Sequence, residues 1–141
     1  MTRQGPPRLV FLTTAAERQM RRWVARRGAD RGISAAAAGV LLHLAQHPGA
    51  TVGDVTAALQ ASAGGASGLL ARMERAGLVR RDVDPEYRRT VRLDLTPAGS
   101  EALGEVRGAL ADLNARLTDG FSPDELATVA RWLEHATRTL R

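Results

Sequence analysis

The sequence predicts a mainly α-helical fold interrupted once by a small β-hairpin, and three observations predict it. Apolar residues recur at three- and four-residue spacing through most of the chain, as in helices with one buried face. Between Gly77 and Gly99 the period changes to two, with Val91, Leu93 and Leu95 alternating with Arg92 and Asp94, a strand with one packed and one wet face. Ser or Thr stands at each helix start from Ser34 onward, where its oxygen can take up a free first-turn amide.

The elements follow in order. Residues 1–8, with Pro6-Pro7 as a stop, are expected to be disordered. Leu12, Ala16, Met20, Trp23 and Val24 then form the stripe of a first helix from Leu9 to about Arg27, closed by Gly28. Ser34 caps a second helix to about His47, with Val40, Leu41 and Leu44 inward and Pro48-Gly49 ending it. Thr51 and Asp54 are spaced for a capping box on a short third helix, whose apolar face is Val55, Ala58 and Leu59. After a turn at Gln60-Ala61, Ser62 caps a fourth helix through Ala76, with Leu69, Leu70 and Met73 inward. Gly77 stands where a left-handed residue ends a helix, and Leu78 supplies the accompanying apolar contact.

Val79–Val83 and Thr90–Leu95 make the hairpin, and Thr96-Pro97 opens a fifth helix. There Leu103, Val106, Leu110, Leu113 and Leu117 step by three, four, three and four, a coiled-coil seam. Ser122-Pro123-Asp124-Glu125 is a capping box for a sixth helix with Leu126, Val129, Leu133, Ala136 and Leu140 apolar. No internal repeat or long linker interrupts the 141 residues, a length that suits one domain with a real core.

Composition narrows the function. No apolar run approaches the roughly 20 residues of a membrane span, and the N-terminus has no signal-peptide pattern, so the cytoplasm is the expected compartment. Without cysteine there is no disulfide, thiolate metal site or thiol switch. All 20 basic residues are Arg, and they are unevenly placed: residues 1–92 hold 15 Arg against 7 acids, residues 93–141 hold 5 against 8. The absence of Lys fits codon bias in a GC-rich genome. The position of the charge does not, and it points to an anionic partner for the first two thirds of the chain.

Pro48-Gly49-Ala50-Thr51-Val52-Gly53-Asp54-Val55, then Leu70 through Arg81, then Asp84-Pro85 to Arg88-Arg89, then Leu95-Thr96-Pro97-Ala98-Gly99 stand in one order and spacing. In this the chain resembles, over roughly residues 9–140, the MarR family of bacterial transcription regulators. The resemblance implies a winged helix-turn-helix DNA-binding lobe at 34–96 with dimerisation helices at 9–33 and 97–141, all in a single domain. It further implies a homodimer on a pseudo-palindromic operator of double-stranded DNA, acting as a repressor. No enzymatic activity, cofactor or membrane partner is expected. The leucine seam of the fifth helix supports the dimer independently, although the same leucines also suit packing within one chain.

On this resemblance the fourth helix is the recognition helix, its first turn nearest the bases. The candidate DNA contacts are Gln60, Ser62, Ala63, Gly64 and Ser67 there, Thr51 at the preceding helix start, and Arg72, Arg75, Arg80 and Arg81 on flanking phosphates. Arg88 and Arg89 are placed at the adjacent minor groove, where a narrow A·T-rich stretch attracts arginine. Two features depart from the family pattern. The position two before Arg89, usually acidic, is Tyr87, leaving Asp84 or Glu86 to take its place. The stretch Ala61–Gly68 is small and glycine-rich, each helical Gly costing up to about 1 kcal/mol relative to Ala; weak base reading and more reliance on backbone and groove shape are expected.

A small aromatic or anionic effector is also implied, with Met20, Trp23, Arg27 and His43 as candidate lining, although Met20 and Trp23 equally suit a plain core role. His43 and His47 lie four apart but lack a further ligand for zinc. The glycines lack the lysine of a phosphate-binding loop, and no Ser stands in a nucleophile motif, so no metal or catalytic site is expected. The rival reading is a ligand-binding or protein-interaction dimer of the same fold with weak or lost specific DNA binding.

Overall fold

The structure, a computed structural model, describes residues 8–28 and 32–141. The disorder expected of residues 1–7 lies outside that range. Arg8 does not belong to a tail, because its carbonyl accepts the Leu12 amide at 3.0 Å and so starts the first helix. The elements are α1 (Leu9–Gly28), α2 (Ala35–Gln46), β1 (Ala50–Thr51), α3 (Val52–Leu59), α4 (Ala63–Arg75), β2 (Val79–Val83), β3 (Val91–Leu95), α5 (Pro97–Thr118) and α6 (Pro123–Thr139). The fold is mainly helical with one small antiparallel sheet, as the sequence predicts. The chain divides into two compact units, Met1–Ala109 and Leu110–Arg141, and the division falls inside α5.

In the first unit the core forms around α2. Its Val40, Leu41 and Leu44, with Val55 of α3, Leu70 of α4 and Leu93 of β3, are almost fully removed from solvent. Burying side chains of this size contributes about 1.5–3 kcal/mol each, which holds α2, α3, α4 and β3 as one body. Local signals set the helix ends. Ser34 accepts from the Ala37 amide, and Thr51 with Asp54 forms the expected capping box. At the end of α4, Gly77 takes φ 76°, and the amides of Gly77 and Leu78 bond back to the carbonyls of Glu74 and Met73. That is a Schellman termination, which a side chain at residue 77 would strain.

The sheet is three-stranded, in order β1-β3-β2. The sequence reading has only the hairpin; β1 is too short to show alternation, yet Ala50 pairs with Leu93 and Thr51 with Arg92. A second correction concerns β3. Its polar face is not simply wet: Arg92 and Asp94 are half-buried, because β1 and the Gly49 turn cover that strand's second edge.

The β3–α5 corner is locked onto the base of the hairpin. The Thr96 amide donates to the Leu78 carbonyl, the Thr96 hydroxyl donates to the Gly77 carbonyl, and the same oxygen accepts the Gly99 amide. The chains approach so closely that a Cβ at Gly99 would lie 2.0 Å from the Leu78 oxygen. Leu103 and Val106 of α5 are buried, while α1 buries no side chain completely and exposes Leu9, Val10, Phe11 and Leu12.

In the second unit, Ser122 and Glu125 form the expected capping box of α6. Leu110, Leu113, Leu126 and Ala136 are half-buried, and Leu117, Phe121, Val129, Leu133 and Leu140 are exposed. Among the described residues no helix is long and apolar enough to cross a membrane.

Candidate nucleic-acid interface

The first candidate surface is the start of α4. The Ser62 hydroxyl accepts the Gly65 amide at 3.1 Å and the Ser62 carbonyl accepts the Ala66 amide, so the Ala63 and Gly64 amides are left without a helical acceptor. Ala66, Leu69, Leu70 and Met73 turn inward, and Ser62, Ala63, Gly64, Gly65 and Ser67 face solvent. Gly64 has open space around it. Gln60, in the preceding turn, adopts the left-handed conformation with φ 52° and is exposed. The outer face thus offers small side chains and bare backbone.

Thr51 caps α3, its hydroxyl accepting the Asp54 amide at 3.1 Å while its own amide donates to Asp54 Oδ2 at 3.0 Å. Those Thr51 bonds, backbone first, hold the Asp54 carboxyl below its ordinary pKa. The hydroxyl proton of Thr51 remains available to an outside acceptor.

The arginines fall into two groups. Arg80 Nε lies 2.7 Å from Asp82 Oδ2, and Arg81 Nε lies 2.8 Å from Glu74 Oε2. The second pair is an ion pair by distance only, since the Arg81 N–H is not aimed at that oxygen. Arg72, Arg75, Arg88 and Arg89 are exposed, and among the described residues no hydrogen bond or ion pair engages their side chains.

The loop that carries Arg88 and Arg89 is well fixed although its tip has no acidic brace. Asp84 Oδ1 accepts the amides of Glu86 at 2.9 Å and Tyr87 at 3.2 Å, and Asp84 Oδ2 accepts from Arg92 Nε at 3.1 Å. The Asp84 amide donates to the Thr90 carbonyl, and the Thr90 amide donates to the Tyr87 carbonyl. The two loop amides, then Arg92, hold the Asp84 carboxyl below its ordinary range. Of the two expected substitutes for the missing acid, Asp84 is the one engaged, and it grips loop backbone and Arg92 rather than Arg88 or Arg89. Tyr87 itself stays exposed.

Sequence reasoning missed Arg92, Asp94 and Gly49. The Gly49 amide is shared between the Leu93 carbonyl at 3.1 Å and Asp94 Oδ1 at 2.8 Å, and the Gly49 carbonyl accepts from Arg92 Nη1 at 3.3 Å. The turn between α2 and α3 is therefore clasped by the strand that ends the wing. Only the Asp84-Pro85 dipeptide, a turn initiator, was a usable signal for part of this arrangement.

Of the candidate effector residues, His43 lines a cleft among the described residues whose lining does not include Met20, Trp23 or Arg27. On α1, Arg27 stacks over Trp23 with its guanidinium carbon 5.1 Å from the ring centroid, and Met20 is exposed. His43, on α2, lines its cleft of about 510 Å³ with His47, Gly49, Asp54, Ala57 and Arg92. The His43 and His47 rings are 4.6 Å apart, and His43 Nε2 is buried with no hydrogen-bond partner among the described residues. Among the described residues no group of three or more His, Asp or Glu is placed to hold a metal ion.

Comparison with known proteins adds a family. The MarR family model matches residues 31–90, from the link before α2 into the wing. The fold is similar to the crystal structure of a MarR family transcription regulator, with 30% identity over 94% of this chain and 87% of that one and a TM-score of 0.86. It is similar also to MarR from E. coli in its apo form, with 23% identity, coverage of 93% and 98%, and a TM-score of 0.78. A third similar structure is a mutant of S. aureus MepR bound to an oligodeoxyribonucleotide, with 22% identity, coverage of 96% and 100%, and a TM-score of 0.64. The last two show the fold alone. No curated protein matches the chain in sequence.

Proposed function

The chain belongs to the MarR family of transcription regulators, and on that premise we propose that it is a homodimeric repressor that binds a pseudo-palindromic operator in double-stranded DNA. One observation carries the reading most directly: Arg88 and Arg89 stand exposed and, among the described residues, unpaired on a loop whose backbone Asp84 holds fixed. A charge that no described residue pairs, on a hydrogen-bonded loop, is suited to an external anion. In this reading α4 enters the major groove with the Ala63 and Gly64 amides and the Gln60, Ser62 and Ser67 side chains foremost. Thr51, Arg72 and Arg75 hold phosphates, and the wing arginines reach the adjacent minor groove. Arg80 and Arg81 join them less readily, since each is tied to a carboxylate.

The lobe at 34–96 would carry this DNA contact, and the segments 9–33 and 97–141 the dimer. Support for the dimer comes from apolar surface the single chain leaves uncovered: Leu9, Val10, Phe11 and Leu12 on α1, and Leu117, Phe121, Val129, Leu133 and Leu140 in the second unit. Exposed apolar side chains clustered within one element suit an association site. Two copies would place two α4 helices about one DNA turn apart. We further propose that a small aromatic or anionic effector relieves repression by preferring a dimer with a different spacing of those helices. Trp23 and Arg27 on α1, or the cleft beside His43, are its candidate seats, with Met20 alongside the first.

The rival reading, a dimer of this fold that no longer binds DNA specifically, draws on the bare outer face of α4. Fluorescence anisotropy with duplexes from the chain's own upstream region, at low salt and combined with sedimentation, separates the two. The expected result is two chains on one duplex. A dimer that ignores every upstream duplex at low salt would support the rival.

A further inference from the structure

We infer that Arg92 is a positioning residue that sets the wing relative to the helix-turn-helix, so that the two groove contacts act as one unit; the functional part of this rests on the DNA-binding reading above. Arg92 lies on the central strand, paired through its backbone with Thr51 of β1 and Asp82 of β2. Its guanidinium reaches two separate places. Nε donates to Asp84 Oδ2 at 3.1 Å, and Nη1 donates to the Gly49 carbonyl at 3.3 Å. Beyond Asp84 lie the Glu86 and Tyr87 amides that Asp84 Oδ1 holds, and next to them Arg88 and Arg89. Beyond Gly49 lies the turn that leads into Thr51 and α3, its amide fixed by Asp94 and Leu93.

The side chains of this link are partly withdrawn from water, Asp84 at 15% exposure and Arg92 at 40%, so solvent competes less for the pair than for the open Arg80–Asp82 pair. A guanidinium directs several N–H donors from different atoms of one rigid plane, whereas a lysine ammonium donates from a single atom. Arg92→Lys therefore keeps the charge and one of the two bonds. In this chain the wing is braced at its base by Arg92 and Asp84, while the position before the tip arginines is occupied by Tyr87.

The test uses the whole chain. In the free protein, Arg92→Lys should speed hydrogen exchange of the Glu86 and Tyr87 amides at least roughly tenfold while leaving amides in α2 and the melting temperature nearly unchanged. Unchanged exchange at these two amides overturns the inference whether or not the protein binds DNA, which keeps its failure distinct from a failure of the DNA-binding reading. On an upstream duplex, Arg92→Lys should weaken binding roughly tenfold and flatten the salt slope by about one unit. Combined with Arg89→Ala it should add little further loss, because both act through the same contact. Additive losses overturn the inference. Asp84→Asn, which keeps an acceptor for the loop amides, is the second variant. It should reproduce the Arg92→Lys slope, and a wild-type slope there also counts against the inference.

Discussion

Helix α4 buries Ala66, Leu69, Leu70 and Met73 and shows solvent a face of Ser62, Ala63, Gly64, Gly65 and Ser67. The hairpin beside it buries Val79 and Leu93 and shows solvent Val83, Tyr87, Arg88 and Arg89. The helix is placed by packing and presents backbone; the wing is placed by hydrogen bonds through Asp84, Arg92 and Thr96 and presents charge. Packing scales with apolar area and is indifferent to pH, whereas the loop at the wing tip is held in part by the ionised Asp84 carboxylate. The two halves of the proposed DNA grip should therefore fail under different insults.

The largest expected effect lies on the packed side. Leu70→Ala should lower the unfolding free energy by about 2–5 kcal/mol, measured by urea denaturation. Val83→Ala, on the exposed face of the wing, should change it by no more than about 0.5 kcal/mol. Comparable losses from the two would erase the contrast.

A smaller effect of opposite sign is expected at Gly64, which has open space where a Cβ would stand. Gly64→Ala should stabilise α4 by up to about 1 kcal/mol, seen as a raised melting temperature. If bare backbone at this turn meets DNA, the same variant should bind the duplex more weakly while being more stable. Unchanged affinity would move the contact away from the Gly64 backbone.

Acid should separate the regions next. Asp84 is held below its ordinary value of 3.8, so its ionised form is favoured in the folded chain. Its contribution is complete above about pH 4 and is lost as pH falls through the lower folded value. Amide signals of Glu86 and Tyr87 should shift in that acid range before those of Leu69 or Leu70 in α4, and Asp84→Asn should remove the early step. Simultaneous loss of both regions would contradict separate anchoring.

Most of the fold was legible because its signals are local. The caps at Ser34, Thr51 with Asp54, Ser62 and Ser122 with Glu125, and the Gly77 stop, each depend on residues within a few positions of one another. What escaped is non-local. The strand Ala50–Thr51 is too short to show a period, and the bonds from Arg92 and Asp94 to Gly49 span 43 and 45 residues. Alternation assigned both side chains to a wet face, and only the third strand reveals why they are half-buried. For the site, the exposed wing arginines could be read from charge and turn chemistry, but the role of Asp84 as their backbone support could not. The cleft beside His43 is likewise non-local, since it is lined from α2, α3 and β3.

The most direct measurement is the dependence of DNA affinity on salt for the wild type and for the Arg88→Ala, Arg89→Ala double variant on the same upstream duplex. Each phosphate-neutralising arginine adds roughly 0.9 to the slope of log K against log salt. The wing account predicts a steep wild-type slope that flattens by about two units when both arginines are removed, with stability unchanged. A double variant that keeps the full slope and affinity would show that the wing does not grip DNA, and would contradict the account at its centre.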